Sequence, residues 1–303
     1  MHLLYPFGQY TVNGLTIGAF YALVALGYTI VYGIVRLINF PHGDLAAVGS
    51  FVGLTTFTTA TSIGLPPLLA VVCALLVPMS IVPLLMVAVF RIVYRPMLKR
   101  KAMLGLLIAA LGVSVALENS LQLIYGAAPE AYPNVLPQVS FAIGRVHITV
   151  AQIGLFAICI GLMVALQLFV KYTSIGVAMR ALAQDHDAAR LVGINVDFVI
   201  AVAFGIGASL AAASGVMIGL YYGQITFLMG FLLGLKAFTA AVVGGIGNIP
   251  GAMLGGLVIG LLESYCTGYL SGRWQDVFVF GVLILVLVVR PAGLLGERVA
   301  ARM

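Results

Sequence analysis

The stretch KYTSIGVAMRALAQDHDAARLVGINVD, residues 171–197, is a polar segment in an otherwise apolar chain. It holds six of the 24 charged residues, which comprise 15 Lys and Arg and 9 Asp and Glu. The apolar runs 149–170 and 198–222 flank it, and each is long enough for a membrane-spanning helix, which needs about 20 apolar residues. The sequence therefore predicts two membrane helices joined by a structured polar loop, and such a loop favours docking of a soluble partner.

The composition predicts that residues 1–303 form a single membrane domain. Of these residues 62% are hydrophobic and 8% are charged, whereas a soluble domain has about 25% charged residues. The net charge of +6 does not indicate nucleic-acid binding, because the basic residues sit in short loops, where they set the orientation in the membrane. The three cysteines are isolated in apolar segments, so we expect neither a disulfide framework nor a metal site.

The apolar runs predict an all-α polytopic membrane protein, a bundle of eight or nine transmembrane helices with a cytoplasmic elbow at residues 171–197. Gly and Pro interrupt the regions before Pro41 and between Gly223 and Gly251, so one or two helices are expected to be broken or re-entrant. The nine candidate spans are residues 11–35, 41–61, 66–90, 103–126, 149–170, 198–222, 228–246, 250–270 and 274–290.

The distribution of Lys and Arg predicts that the N-terminus is outside and the C-terminus cytoplasmic. If the loop 91–101 is cytoplasmic, twelve of the fifteen basic residues lie inside, as the positive-inside rule requires. Arg145 and Arg273 then lie outside, together with the loop 127–148, and Lys236 falls within a span. The twelve inside residues are Arg36, Arg91, Arg95, Lys99, Arg100, Lys101, Lys171, Arg180, Arg190, Arg290, Arg298 and Arg302.

Two short helices are predicted within the polar segment. Ser174 is placed to cap a helix over about 175–184, and Asp185 is placed to cap a second helix, HDAARLV, which Gly193 would end in a left-handed conformation.

On the second helix Ala188, Leu191 and Val192 share one face by three- and four-residue spacing, while Asp187 and Arg190 project elsewhere. A small apolar face with a charged rim suits insertion into a groove of another protein. An amphipathic helix lying on the lipid headgroups has the same pattern, and spacing alone does not separate these two interpretations.

The stretch INFPHGD, residues 38–44, is expected to break the chain at the cytoplasmic end of the first span. Pro41 lacks a backbone donor and Gly43 permits unusual dihedral angles, while Asn39 or Asp44 is placed to cap the next helix. The segment is interpreted as a hinge or gate near a pathway through the membrane, or as a simple capping turn. His42 is not expected to bind a metal, because no other ligating residues accompany it.

Three ionisable residues, Glu118, Lys236 and Glu263, fall inside predicted spans, where charges are costly and usually pair or line a pathway. Lys236 and Glu263 lie on consecutive segments, so either they form an ion pair or one of them lies near the membrane interface and extends its charge to water. Glu118 lies late in its span and is a candidate for the external mouth. No catalytic constellation or nucleotide-binding loop is present, so the chain is predicted not to be an enzyme and any ATP must bind elsewhere.

Glycines recur on the segment after Pro250 at residues 251, 255, 256 and 260. Small residues at this spacing let helix backbones approach closely in a membrane. They predict a close-packed face, either within the chain or against a partner membrane protein.

Three motifs resemble the permeases of branched-chain amino acid ABC importers. They are MRALAQDHDAARLVGIN at 179–195, similar to the cytoplasmic coupling segment, NGLTIGAFYALVALGYTIVYGIVRLINFPHGDL at 13–45, similar to the opening span, and LKAFTAAVVGGIGNIPGAMLGGLVIG at 235–260, similar to the late Gly-rich hairpin. They follow the family's order and extend over nearly the whole chain, which resembles the smaller of the family's two permeases. One departure is Pro41, where Ala is common.

The resemblance implies a multi-pass subunit of a bacterial inner membrane with no cofactor of its own. Its implied partners are a second homologous permease, two cytoplasmic ATPase subunits that carry the ATP, and an external, periplasmic substrate-binding protein. The coupling residues would be Arg180, Asp185, Asp187, Ala188, Arg190, Leu191 and Gly193, and the gate or pathway candidates are Asn39, His42, Gly43, Asp44, Glu118, Lys236 and Glu263.

The substrate implied by the resemblance is Leu, Ile or Val. Urea, short amides and other amino acids remain alternatives, because the motifs do not discriminate among them. A self-contained secondary transporter or channel is a further alternative that would use the buried charges as coupling-ion sites, but it leaves the polar elbow without a role.

Overall fold

The computed structural model describes residues 4–100, 102–133, 135, 139–144 and 146–296. Most of these residues are helical, as the apolar runs predict. The helices are α1 (Leu4–Val35), α2 (His42–Ser62), α3 (Pro67–Val89), α4 (Arg95–Lys99), α5 (Met103–Tyr125), α6 (Val150–Tyr172), α7 (Ser174–Gln184), α8 (His186–Leu191), α9 (Val196–Tyr222), α10 (Met229–Gly244), α11 (Ile249–Tyr269) and α12 (Gln275–Val289). A π-helical segment, Phe90–Tyr94, joins α3 to α4, and a 3-10 turn, Gly272–Trp274, precedes α12.

All nine predicted spans are helices, and the all-α polytopic fold is confirmed. Seven helices in the described chain are both long and apolar enough to cross a membrane. The other two spans are α2, which has 21 residues but less hydropathy, and α10, which is apolar but has only 16 residues. These are the second and seventh predicted spans, and α2 and α10 border the two regions that Gly and Pro interrupt.

Two short antiparallel strand pairs mark one end of the bundle, which we call the hairpin end. Strand β1 (Glu130–Ala131) pairs with β4 (Gln224–Ile225), and β2 (Ser140–Ile143) pairs with β3 (Val146–Thr149). The start of α1 belongs to this end, because the side chain of Gln9 hydrogen-bonds the backbone of His147. The opposite end carries α7, α8, the turn 245–248 and the segment 290–296, and we call it the elbow end.

The basic residues are divided unequally between the two ends. Apart from Arg273 at the hairpin end and the buried Lys236, the basic residues of the described chain lie at or near the elbow end. Lys101, Arg145, Arg298 and Arg302, which the orientation argument also used, lie outside the described residues.

The core forms around α1 and α9, and glycine contacts hold α11 against α1. A Cβ on Gly256 or Gly260 would overlap the backbone of Ala22 or Gly18 on α1, and one on Gly255 would overlap the backbone of Ala240 on α10. The predicted close-packed glycine face is therefore confirmed, and its partners lie within the subunit. In the outer helices α3, α5, α6 and α12 most residues are not buried, so these helices are available to lipid or to another subunit.

Candidate functional site

The elbow consists of α7 and α8, and α7 packs firmly on the bundle. Gly176, Met179 and Leu182 are buried on one face of α7, and the guanidinium of Arg180 donates to the backbone carbonyl of Val170 at the end of α6. The predicted N-cap at Ser174 is wrong. Thr173 has the extended backbone that a cap requires, and its hydroxyl accepts the N–H of Gly176.

The second helix, α8, has the predicted ends. The Asp185 carboxylate accepts the backbone N–H groups of Asp187 and Ala188, and Gly193 ends the helix with φ = +87°. Within α8, Ala189 is buried and anchors the helix to the bundle. The sequence pattern did not indicate this contact.

The free face of α8 is apolar and unusually exposed. Leu191 is 89% exposed and Val192 is 76% exposed, and Asp187, Ala188 and Arg190 are also exposed. An isolated apolar tip with a charged rim has the chemistry of a helix that enters a groove. Of the predicted coupling residues only Arg180 lies away from this tip, on α7.

The elbow connects to the rest of the bundle through α9. The Asn195 side chain caps α9 by accepting the N–H of Phe198, and Asp197 in its first turn receives the guanidinium of Arg95, with Nη2 2.6 Å and Nε 2.7 Å from Oδ2. This half-exposed ion pair joins the start of α9 to α4. Arg95 was missed as a site residue, because no sequence spacing relates it to a position one hundred residues away.

A buried charged cluster lies where α1, α10, α11 and α12 meet. The Nζ of Lys236 is 2.9 Å from Oε1 of Glu263, so the predicted pair is confirmed. The cluster also includes two residues that sequence reasoning did not assign to it. Tyr21 donates to Oε2 of Glu263 at 2.6 Å, and Oδ1 of Asp276 lies 3.0 Å from the Lys236 Nζ.

This charged cluster borders a cavity of about 840 Å³ near the hairpin end. Tyr10, Asn13, Tyr221 and Gln224 add polar groups to its wall, and the buried residues Lys236 and Glu263 also line it. We call it the outer cavity. Glu118 is half-buried on α5 and is not among the residues that line it.

The INFPHGD segment forms the expected break between α1 and α2. Arg36 has φ = +54°, and α2 begins at His42 beside the middle of α1, where the imidazole Nε2 lies 3.2 Å from the carbonyl oxygen of Val24. Neither predicted cap forms, because the N-cap position of α2 is Pro41, which makes no side-chain cap hydrogen bond. The Asn39 side chain instead accepts the hydroxyl of Tyr94 at 3.0 Å.

Asp44 turns into the bundle rather than capping α2. Its Oδ2 accepts the hydroxyl of Ser114 on α5, while its Oδ1 is buried without a hydrogen-bond partner among the described residues. Gly43 and Asp44 also pack against the backbone of Gly230 and Gly234 on α10. The break therefore brings α2, α5 and α10 together, and a movement of any one of them would disturb the others.

Ser114→Ala should reduce the free energy of unfolding by about 1–3 kcal/mol, because a buried carboxylate would lose its hydrogen bond. Ser120→Ala on the same helix is the matched control, since that exposed hydroxyl bonds only the carbonyl of Ala116. The midpoint of thermal unfolding in detergent measures both. Equal midpoints for the two variants would contradict a stabilising role for the Asp44–Ser114 bond.

The sequence of the chain is similar to those of known proteins. A family model described as "Branched-chain amino acid transport system / permease component" matches residues 10–287. The chain is 41% identical over 300 residues to the high-affinity branched-chain amino acid transport system permease protein BraD of Pseudomonas aeruginosa, with 97% of each chain covered.

Two further relatives are similar over most of their length. The permease protein LivH of the corresponding Escherichia coli K12 system is 41% identical over 302 residues, with 96% of each chain covered. A probable LivH of Methanocaldococcus jannaschii is 28% identical over 289 residues, covering 90% of this chain and 88% of the relative. No solved structure matches the chain.

Proposed function

The chain belongs to the family of branched-chain amino acid transport system permease components, and we propose that it forms part of the path by which Leu, Ile or Val enters the cell. As a permease of an ABC importer it is a multi-pass inner-membrane protein that works with an ATPase and a substrate-binding protein. The proposed assembly contains a second, homologous permease, two cytoplasmic ATPase subunits that hold the ATP, and one external binding protein.

The proposed orientation puts the elbow end in the cytoplasm and the hairpin end outside. Support comes from the basic residues near the elbow end, such as Arg91, Arg100 and Arg190, because Lys and Arg accumulate in cytoplasmic loops. The start of α1 is then outside. The outer cavity faces the binding protein, which selects the substrate, so this chain needs only weak polar contacts along the path.

The elbow is the element proposed to transmit ATP-driven motion. The tip of α8 would sit in a groove of an ATPase subunit, and α7 and α9 would carry its displacement into the bundle through packing and the Arg95–Asp197 ion pair. Alternating access follows if ATP binding biases the two permeases between two packings.

The exposed apolar tip of α8 is the observation that carries this proposal, and it supplies the test. Leu191→Asp should lower ATP-driven uptake of leucine more than about tenfold, because burying an ionised carboxylate in an apolar groove costs several kcal/mol. Gly193→Pro should act similarly, since proline cannot adopt φ = +87°. Uptake and ATP hydrolysis are measured in proteoliposomes that contain the whole transporter.

Val177→Asp is the matched control, because it adds the same charge at a half-exposed position on α7, away from the α8 tip. It should retain most of the uptake, and all three variants should insert normally. Wild-type uptake by both Leu191→Asp and Gly193→Pro would refute the role of α8. Uptake without ATP or ATPase subunits would instead favour a self-contained transporter.

A further inference from the structure

A second cavity, of about 860 Å³, lies at the elbow end and is lined by three basic residues from separate segments. Arg36 follows α1, Lys171 belongs to the last turn of α6, and Arg180 belongs to α7. The turn 246–250 and residues 291, 292 and 296 close its other side. We call it the basic cavity.

The positive charge of the basic cavity has no acidic counterpart among the described residues that line it. The ion pairs found in the described chain join Arg95, Lys99 and Lys236 to carboxylates, and none involves Arg36, Lys171 or Arg180. Three like charges around one cavity repel one another, so an anion entering it would be attracted by all three.

The wall of the basic cavity also includes a residue with a polar group that has no hydrogen-bond partner among the described residues. Thr29 lines the basic cavity and is buried, and its hydroxyl has no hydrogen-bond partner among the described residues. A buried hydroxyl without a partner is costly, and this one lies just behind the wall of the basic cavity.

Apart from the polar residues Thr29, Tyr32, Gln167 and Asn248, the rest of the wall is apolar, and it lies beside the outer surface of α6. Ile30, Ile34, Val242 and Ile249 line the basic cavity beside the charges. Helix α6, which supplies Lys171, exposes Val164, Leu168 and other apolar side chains along its outer face. An occupant with an anionic head and an apolar body matches both parts of this wall.

We infer that the basic cavity binds the phosphate headgroup of an anionic phospholipid from the cytoplasmic leaflet. Arginine forks match phosphate oxygens, and basic pockets between membrane helices on the cytoplasmic side suit such headgroups. The inference rests on the proposed cytoplasmic orientation of the elbow end. Because the positive charges come from α6, α7 and the segment after α1, a bound headgroup joins the coupling elbow to the bundle.

The test compares lipid binding to the purified transporter in detergent by native mass spectrometry, with phosphatidylglycerol and phosphatidylcholine as probes. Wild-type protein should retain phosphatidylglycerol in preference to phosphatidylcholine. Each basic residue lost should weaken binding about fivefold, so Lys171→Gln/Arg180→Gln should weaken it about 25-fold. Lys171→Gln alone, which removes no backbone hydrogen bond, keeps the test valid if the double variant folds poorly.

The matched control is Arg91→Gln/Arg100→Gln, which removes the same charge from exposed positions outside the basic cavity. It should leave the preference for phosphatidylglycerol unchanged. Glu297, which follows the cavity residue Gly296 in sequence, lies outside the described residues, and Glu297→Gln should not reduce binding.

Three results would overturn the inference. The first is an equal loss of lipid in the surface and cavity variants, which would indicate general surface attraction. The second is displacement of the lipid by millimolar inorganic phosphate, which would assign the site to a free anion. The third is a cavity variant that releases the ATPase subunits while keeping the lipid, which would make the cavity part of a protein interface. Lipid binding is read without ATP or substrate, so its failure is distinct from failure of the transport proposal.

Discussion

Lys236→Met should destabilise the protein by about 3–5 kcal/mol, because it leaves Glu263 buried with an uncompensated charge. Lys236 is 6% exposed, and its ammonium group lies within 3.0 Å of two carboxylates, Glu263 and Asp276. Without the ammonium group, the Glu263 carboxylate, which is 6% exposed, loses the cation that compensates its charge. The expected result is a large loss of folded protein and a lower midpoint of thermal unfolding in detergent.

The double variant Lys236→Met/Glu263→Met tests whether the loss of stability comes from the unpaired charge. It removes both fully buried charges and leaves only the half-exposed Asp276, so it should recover most of the lost stability. Lys99→Met is the exposed control, because its side chain is 62% exposed and 3.8 Å from Asp197, and such pairs contribute about 0–1 kcal/mol. No recovery in the double variant would show that Lys236 acts through something other than this charge pair.

Gly260→Ala should destabilise the protein by about 3 kcal/mol or more, although alanine is the better helix former. The added Cβ would overlap the backbone of Gly18, and a backbone cannot rotate away as a side chain can. Helices α1 and α11 would have to separate along their whole contact. Thermal unfolding of the purified protein in detergent measures the loss.

Gly281→Ala on α12 is the matched control, because nothing lies within 4 Å of the Cβ that it adds. It should be neutral or stabilise the helix by up to about 1 kcal/mol. The same chemical change is therefore expected to have opposite signs at the two positions. A similar loss at both would mean that helix propensity or lipid contact, and not the α1–α11 contact, explains the effect.

Most helices were predictable because their signals are local. Length and hydropathy decide whether a segment can span a membrane, and a span must satisfy its backbone hydrogen bonds within itself. The same holds for α8, whose cap at Asp185 and end at Gly193 follow from neighbouring residues. The cap of α7 was assigned one residue late, because Thr173 and Ser174 are both suitable and only the backbone conformation separates them.

The candidate site was predictable only in part, since its contacts join distant residues. An ion pair between Lys236 and Glu263 was one of two interpretations, because the two residues lie on consecutive segments. Asp276 and Tyr21 were not assigned to this cluster, because a tyrosine in a span or an aspartate at a helix start has ordinary local explanations. Asn39 and Asp44 show the reverse case, in which a good local capping position is overridden by partners on other helices, Tyr94 and Ser114.

The sequence by itself determined the membrane class, the succession of helices and the polar elbow, because hydropathy and capping act within a few residues. Only the tertiary structure decided that the glycine face of α11 meets α1 and α10, that Asp44 meets Ser114, and that Arg36, Lys171 and Arg180 surround one cavity. Pairing between helices depends on which surfaces are complementary after all the spans are packed. That choice is a property of the whole bundle, and no single segment carries it.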